Sequence, residues 1–131
     1  MNEGWVIYTD GACRGNPGPG GWGAILCRAG ETTELSGAES NTTNNRMEII
    51  AVIKGLETLD LGANVSVYSD SKYVVDAINN GWAQRWKANS WKRNKKGEPA
   101  LNPDLWDRLL QLIGQHNVDF NWVRGHSGNI E

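Results

Sequence analysis

The chain has 131 residues, of which 39% are hydrophobic and 21% charged, the balance of a folded globular chain and not of a disordered one. No apolar run approaches the roughly 18 residues of a membrane span, and Met1-Asn2-Glu3-Gly4 lacks the features of a signal peptide, so a cytoplasmic location and no membrane partner are expected. Net charge is only -2, yet between Trp82 and Pro99 the basic residues Arg85, Lys87, Lys92, Arg93, Lys95 and Lys96 face the single acid Glu98, one positive stretch in an acidic remainder.

A first strand is predicted over about residues 5 to 12, delivering Asp10 to its carboxyl end before the glycine-rich stretch Gly15-Asn16-Pro17-Gly18-Pro19-Gly20-Gly21, which reads as a tight turn. Gly18-Pro19-Gly20-Gly21-Trp22-Gly23 formally matches the dinucleotide fingerprint. That fingerprint must open a helix, whereas Ala24-Ile25-Leu26-Cys27 reads as strand, so a dinucleotide site is rejected. Strands over Trp22 to Arg28 and Thr32 to Ala38, joined by short links, predict an antiparallel meander. Cys13 and Cys27 form no CxxC pair and are expected to be free thiols.

Asn41-Thr42-Thr43-Asn44-Asn45 caps a helix running to about Leu59, with Ile49, Val52, Ile53, Leu56 and Leu59 at helical spacing and Gly62 ending it. Small Ala51 and Gly55 would let one side of it approach the sheet closely. Val65 to Ser69 is a second core strand ending in Tyr-x-Asp, like the first, followed by a helix from Ser71 to Asn80. Strand, crossover helix, strand implies parallel pairing and brings Asp70 beside Asp10. A Trp-rich helical piece and the basic segment come next. Asn102 with Pro103 then starts a helix carrying Leu105, Leu109, Leu112 and Ile113, and alternating Val118, Phe120 and Trp122 predict the last strand. No repeat or linker interrupts residues 1–131, which read as one domain.

Each candidate site residue has a plainer alternative. Asp70 could be a helix N-cap. Asn45-Arg46-Met47-Glu48 spells a capping box in which Glu48 bonds back to the cap residue. Asp10 has no helix to cap and would be a costly buried charge unless a cation or donor compensates it, so a pair of aspartates at the strand ends is a candidate metal site. The basic run Trp91-Lys92-Arg93-Asn94-Lys95-Lys96 could be a solvated loop. Its interleaving with Trp82, Trp86 and Trp91 suits a nucleic-acid groove, where cations meet phosphates and indoles meet sugars and bases, although Trp86 could equally anchor its own helix. His126 is either an exposed loop residue or a mobile proton carrier.

Four segments together resemble the bacterial ribonuclease HI family, in its order and spacing. They are Tyr8 to Gly21 (YTDGACRGNPGPGG), Thr42 to Glu48 (TTNNRME), Tyr68-Ser69-Asp70-Ser71, and Trp122-Val123-Arg124-Gly125-His126. The resemblance implies an α/β, ribonuclease H-like fold, a five-stranded mixed sheet flanked by helices. It implies endonucleolytic cleavage of the RNA strand of RNA/DNA hybrids by two-metal-ion hydrolysis, with Mg²⁺, or Mn²⁺ as substitute, and monomeric action. By the same resemblance Asp10, Glu48 and Asp70 correspond to three of four metal-binding carboxylates, and His126 to a catalytic histidine that assists proton transfer or product departure. Cys13, Asn16, Asn44 and Asn45 correspond to residues lining the RNA side of the minor groove, and Thr43 to a DNA-phosphate contact. The stretch over about 82–98, with Trp82, Lys87, Trp91, Lys92, Arg93, Lys95 and Lys96, corresponds to a basic protrusion that grips the DNA strand.

Two departures follow. Lys72 stands where the family commonly has glutamine and would trade a groove hydrogen bond for a phosphate attraction. The family also continues past the histidine loop to a fourth carboxylate and a final helix, which have no counterpart here. Either the chain was shortened, or Glu131 or Asn129 takes that place, or the site works with three acids, and apolar sheet surface is expected to be uncovered. The alternative this leaves is a hybrid-binding module of weak or no activity.

Overall fold

The computed structural model describes residues 4–124. Its elements are β1 (Trp5–Cys13), β2 (Gly18–Arg28), β3 (Glu31–Thr42), α1 (Asn44–Glu57), β4 (Asn64–Ser69), α2 (Lys72–Asn79), α3 (Trp82–Ala88), α4 (Pro103–Gly114) and β5 (Asn117–Trp122). The strands form one five-stranded mixed sheet in the order β3-β2-β1-β4-β5. β1, β2 and β3 are the antiparallel meander, while β4 pairs parallel with both β1 and β5. The parallel register sets Tyr8 opposite Tyr68 and Thr9 opposite Ser69. One step further, Asp10 and Asp70 leave the ladder side by side.

Alternation along the strands sends Ile7, Ala24, Leu26, Val65, Val67 and Phe120 to one face, where they join Ile49, Val52, Ile53 and Leu56 of α1 and Trp106, Leu109 and Leu112 of α4 in the core. α1 is apolar on more than one side because it lies between the sheet and α4, so Met47, Ile50 and Ala51 are buried as well. Gly55 makes the close approach possible: a Cβ there would meet Ile7 Cγ2 at 3.2 Å and Cδ1 at 3.3 Å. On the opposite face Tyr8 and Tyr68 stack with ring centroids 5.4 Å apart.

Several expectations are corrected. β2 begins at Gly18 and not at Trp22, so the glycines are strand residues paired to β1 and β3, and the turn is confined to Arg14–Pro17. Small residues suit that stretch: a Cβ on Gly20 would lie 2.6 Å from Thr42 Cγ2 and 2.8 Å from the Ala12 carbonyl oxygen. Asp10 is not the last residue of its strand, since β1 continues to Cys13 against β2, and it is exposed instead of buried. α1 ends at a Thr58 cap, ahead of Gly62.

The capping alternatives are also corrected. The N-cap of α1 is Thr43, whose hydroxyl accepts the Arg46 N–H, so Glu48 lies beyond the capping-box position. The N-cap of α2 is Ser71, which accepts from the Val74 N–H, so Asp70 does not have that task either.

Candidate metal centre

Three elements converge where β1 and β4 part. Asp10 comes from β1, Asp70 from the junction of β4 with α2, and Glu48 from the second turn of α1. One carboxylate oxygen from each can be chosen so that all lie within 4.8 Å of one another. Gly11 sets the position of Glu48, because a Cβ on Gly11 would stand 2.6 Å from the Glu48 backbone nitrogen and 2.6 Å from the Met47 carbonyl carbon. Only glycine lets α1 come down onto β1 at this point.

The three acids differ in surroundings. Asp10 is exposed and Asp70 half-buried, whereas Glu48 Oε1 is shielded from solvent with no hydrogen-bond partner among the described residues. The Glu48 carboxyl is pushed up to about 9, first by burial, then by the negative charges of Asp70 and Asp10 and a hydrogen bond shared with Asp70 that requires a proton. The Gly11 N–H, which favours the charged form, only partly offsets this. Three acids gathered in one place, one of them held protonated by burial and by the charges of the other two, form a site short of positive charge. All-oxygen donors at this spacing with a buried, unbonded oxygen fit a hard divalent cation.

Beside the acids, the loop after β1 is tied to the start of α1. The Cys13 thiol lies against the carbonyls of Thr42 (3.2 Å) and Gly18 (3.3 Å), and Asn16 Oδ1 accepts the Asn44 N–H at 3.2 Å. Cys13 and Asn16 are thereby held against the residues that open α1.

The RNase H family model matches residues 2–131. The chain belongs to the RNase H family. A ribonuclease H of Trichodesmium erythraeum (strain IMS101) is 63% identical over 126 residues, covering 96% of this chain and 80% of the relative. Among solved structures, LC9-RNase H1, a type 1 RNase H with the type 2 active-site motif, is similar with a TM-score of 0.81 at 31% identity, over 98% of this chain and 66% of that one. LC11-RNase H1, solved in complex with RNA/DNA hybrid, is similar with a TM-score of 0.70 at 27% identity, over 95% of this chain and 88% of that one. Membership in the RNase H family makes the chain a hydrolase of divalent-metal-dependent type, acting on the RNA of RNA/DNA hybrids.

The basic stretch expected of an RNase H surface is a separate region. Trp82, Arg85, Trp86, Lys92, Arg93 and Lys96 help line an open groove of about 1060 Å³. The tryptophans are half-buried against the core, and Trp86 meets Trp106 edge-on at 6.1 Å, so it does anchor its own helix. Lys87 is held 2.8 Å from Asp107 of α4, and Arg93 pairs with Glu98 at 3.4 Å. Lys72 opens α2, its ammonium 5.4 Å from the centre of the Trp122 ring. His126, Asn129 and Glu131 lie outside the described residues.

Two residues that shape this site escaped the sequence reading. Gly11 was visible only as a glycine after an acid. Trp122 was read as one more apolar position of a strand, although its indole N–H donates to the Asp70 carbonyl at 3.2 Å.

Proposed function

We propose that the chain cleaves the RNA strand of RNA/DNA hybrids by two-metal-ion hydrolysis, with Mg²⁺ as the working ion and Mn²⁺ as substitute. The observation that carries this reading is the convergence of Asp10, Glu48 and Asp70, brought from distant parts of the sequence to within 4.8 Å. When bound, divalent ions supply Lewis acidity and a water made nucleophilic near neutral pH. Asp10, Glu48 and Asp70 would hold them, and a bound cation would favour the ionised form of Glu48 against the burial and neighbouring charges that retain its proton.

Substrate recognition divides between the two flanks. Cys13, Asn16, Asn44 and Asn45 would face the RNA strand, where the 2′-hydroxyl separates RNA from DNA. With Asn16 Oδ1 engaged by the Asn44 N–H, the Asn16 amide NH₂ is the group left to offer to substrate. Thr43 and Lys72 would meet phosphates, and Trp82, Lys87, Trp91, Lys92, Arg93, Lys95 and Lys96 would grip the DNA strand largely without regard to sequence. His126 would carry the proton to the leaving group. The sheet and core shared by the described elements support one domain with 82–98 as its protrusion, which we propose spans 1–131 and works as a monomer in the cytoplasm.

The test is cleavage of a hybrid labelled separately on each strand, in Mg²⁺, in Mn²⁺ and in EDTA, with Asp10→Asn as control. RNA-strand products that need metal and vanish in the control support the reading. Hybrid binding without cleavage would replace it with a binding module.

A further inference from the structure

We infer that Trp122 is a positioning residue for both Asp70 and Lys72, fixing the main chain of one with its indole N–H and the ammonium of the other with its ring face. This rests on Asp70 being a metal ligand and Lys72 a phosphate contact.

Trp122 is 47% exposed, so core packing does not account for a tryptophan here. It ends the edge strand β5, opposite Ser69 of β4 and therefore one residue short of Asp70. The ladder continues one step further through the Val123 N–H to the Ser69 carbonyl at 2.9 Å. Beyond that the chain leaves the sheet, and Asp70 stands between the last strand residue, Ser69, and the cap of α2, Ser71. A carboxylate at such a junction takes its direction from the two peptide planes beside it. The first, between Ser69 and Asp70, is tied by that same Val123 N–H on the Ser69 carbonyl. The second, between Asp70 and Ser71, is held at both ends: its Ser71 N–H donates to Ser69 Oγ at 3.0 Å and its Asp70 carbonyl accepts from Trp122 Nε1–H at 3.2 Å. Removing the indole N–H takes away one of the two bonds that hold that plane without touching the carboxylate.

The ring face does separate work. At 5.4 Å from its centre the Lys72 ammonium lies within cation–π range, near the start of α2 and two residues from a metal ligand. A lysine side chain is otherwise a long, rotationally free stem, and parking its charge over the indole lowers the cost of presenting it to a phosphate. One side chain from the sheet edge thus couples an acid that would bind metal to a cation that would bind substrate.

The two contacts can be broken separately. Trp122→Phe keeps a ring face and removes the N–H. Trp122→Leu removes both, and Lys72→Met removes only the cation. Mn²⁺ affinity, read from free Mn²⁺ by electron paramagnetic resonance without substrate, and hybrid KM and kcat report the two functions. Melting in EDTA reports the fold. Loss of an outer-shell partner of a metal ligand costs roughly 10–100-fold, and this half-exposed main-chain bond should lie at or below the low end. Trp122→Phe is therefore expected to weaken Mn²⁺ binding about three- to tenfold, with hybrid KM and melting in EDTA close to the parent. Lys72→Met should raise KM while leaving Mn²⁺ affinity unchanged, and Trp122→Leu should show both defects. Parent-like Mn²⁺ binding by Trp122→Phe overturns the inference, as does parent-like KM in Trp122→Leu when Lys72→Met raises it. So does a fall in melting temperature alone, which would make Trp122 merely structural. A parent that binds no Mn²⁺ removes the metal reading itself, and this inference with it.

Discussion

The acid cluster and the tryptophan–lysine stretch are the two charged regions of this molecule, and they are built on opposite principles. The first gathers like charges from β1, α1 and the β4–α2 junction and leaves a carboxyl pushed up to about 9 by burial and by the negative charges of its two neighbours. The second gathers cations along one continuous segment and compensates some of them locally, Lys87 by Asp107 and Arg93 by Glu98. Frustration is thus concentrated in the first region, where a metal can relieve it, and the second is a surface that is stable on its own. Electrostatic strain marks chemistry, while a solvated row of cations marks attraction.

Removing a carboxylate is the hardest test of that contrast. Glu48→Gln and Asp10→Asn should each abolish metal-dependent hybrid cleavage, exceeding the roughly 10–100-fold loss typical of an outer-shell metal partner, as read by product formation in Mg²⁺. The same Glu48→Gln change should stabilise the metal-free protein. A carboxyl raised to about 9 binds a proton in the folded state that the unfolded state, near 4.5, has lost, so between those values stability falls as pH rises. Urea unfolding in EDTA should therefore show the variant ahead by on the order of 1–3 kcal/mol at pH 7, with the advantage vanishing below about pH 4.5. No pH dependence in that difference would mean that the charges are neutralised within the chain.

Gly11→Ala attacks the same region through packing. With 2.6 Å between the new Cβ and the Glu48 nitrogen, α1 must shift, so stability should drop by about 1–3 kcal/mol and cleavage should fall with it. Neutralising Lys92, Arg93, Lys95 and Lys96 together should leave metal binding intact, weaken hybrid binding and flatten its salt dependence, each lost phosphate contact removing roughly 0.9 from the log–log slope. An unchanged slope would take that segment out of the interface. Lys87→Met should do less to binding than loss of Lys92, Lys95 or Lys96, because its charge is engaged by Asp107 as that of Arg93 is by Glu98, and should cost about 0–1 kcal/mol of stability.

The smallest effect expected lies between the regions, at the bidentate Arg46–Asp104 pair that joins the starts of α1 and α4. Hydrogen bonding and charge from Arg46 hold the Asp104 carboxyl below its usual value. Its contribution is present above the unfolded value of 3.8 and is lost as pH falls through the depressed one. At this exposed position it amounts to about 0–1 kcal/mol, and a double-mutant cycle at pH 7 and pH 2 should find it only at the higher pH.

The antiparallel meander, the parallel pairing of β1 with β4 and the meeting of Asp10 with Asp70 were open to sequence reasoning because strand alternation and right-handed crossovers leave few arrangements. The errors arose where one residue type serves two purposes. Asn41-Thr42-Thr43-Asn44-Asn45 offers five residues able to cap, and choosing Asn45 over Thr43 turned Glu48 into a capping-box partner. Glycines from Gly18 to Gly23 weaken a strand by propensity, so the run read as a turn, whereas pairing on both sides holds it extended. The engagement of Lys87 by Asp107 and of Trp122 by Asp70 could not be read at all, because each joins residues from different elements at distances that only tertiary packing sets.

The account rests on divalent cations bound among three carboxylates, and anomalous diffraction from crystals grown with Mn²⁺ observes this without an activity assay. The account predicts Mn²⁺ peaks bounded by the carboxylates of Asp10, Glu48 and Asp70, lost in Glu48→Gln. Well-ordered crystals showing those three side chains with no peak among them, or with Mn²⁺ bound only elsewhere, would contradict it.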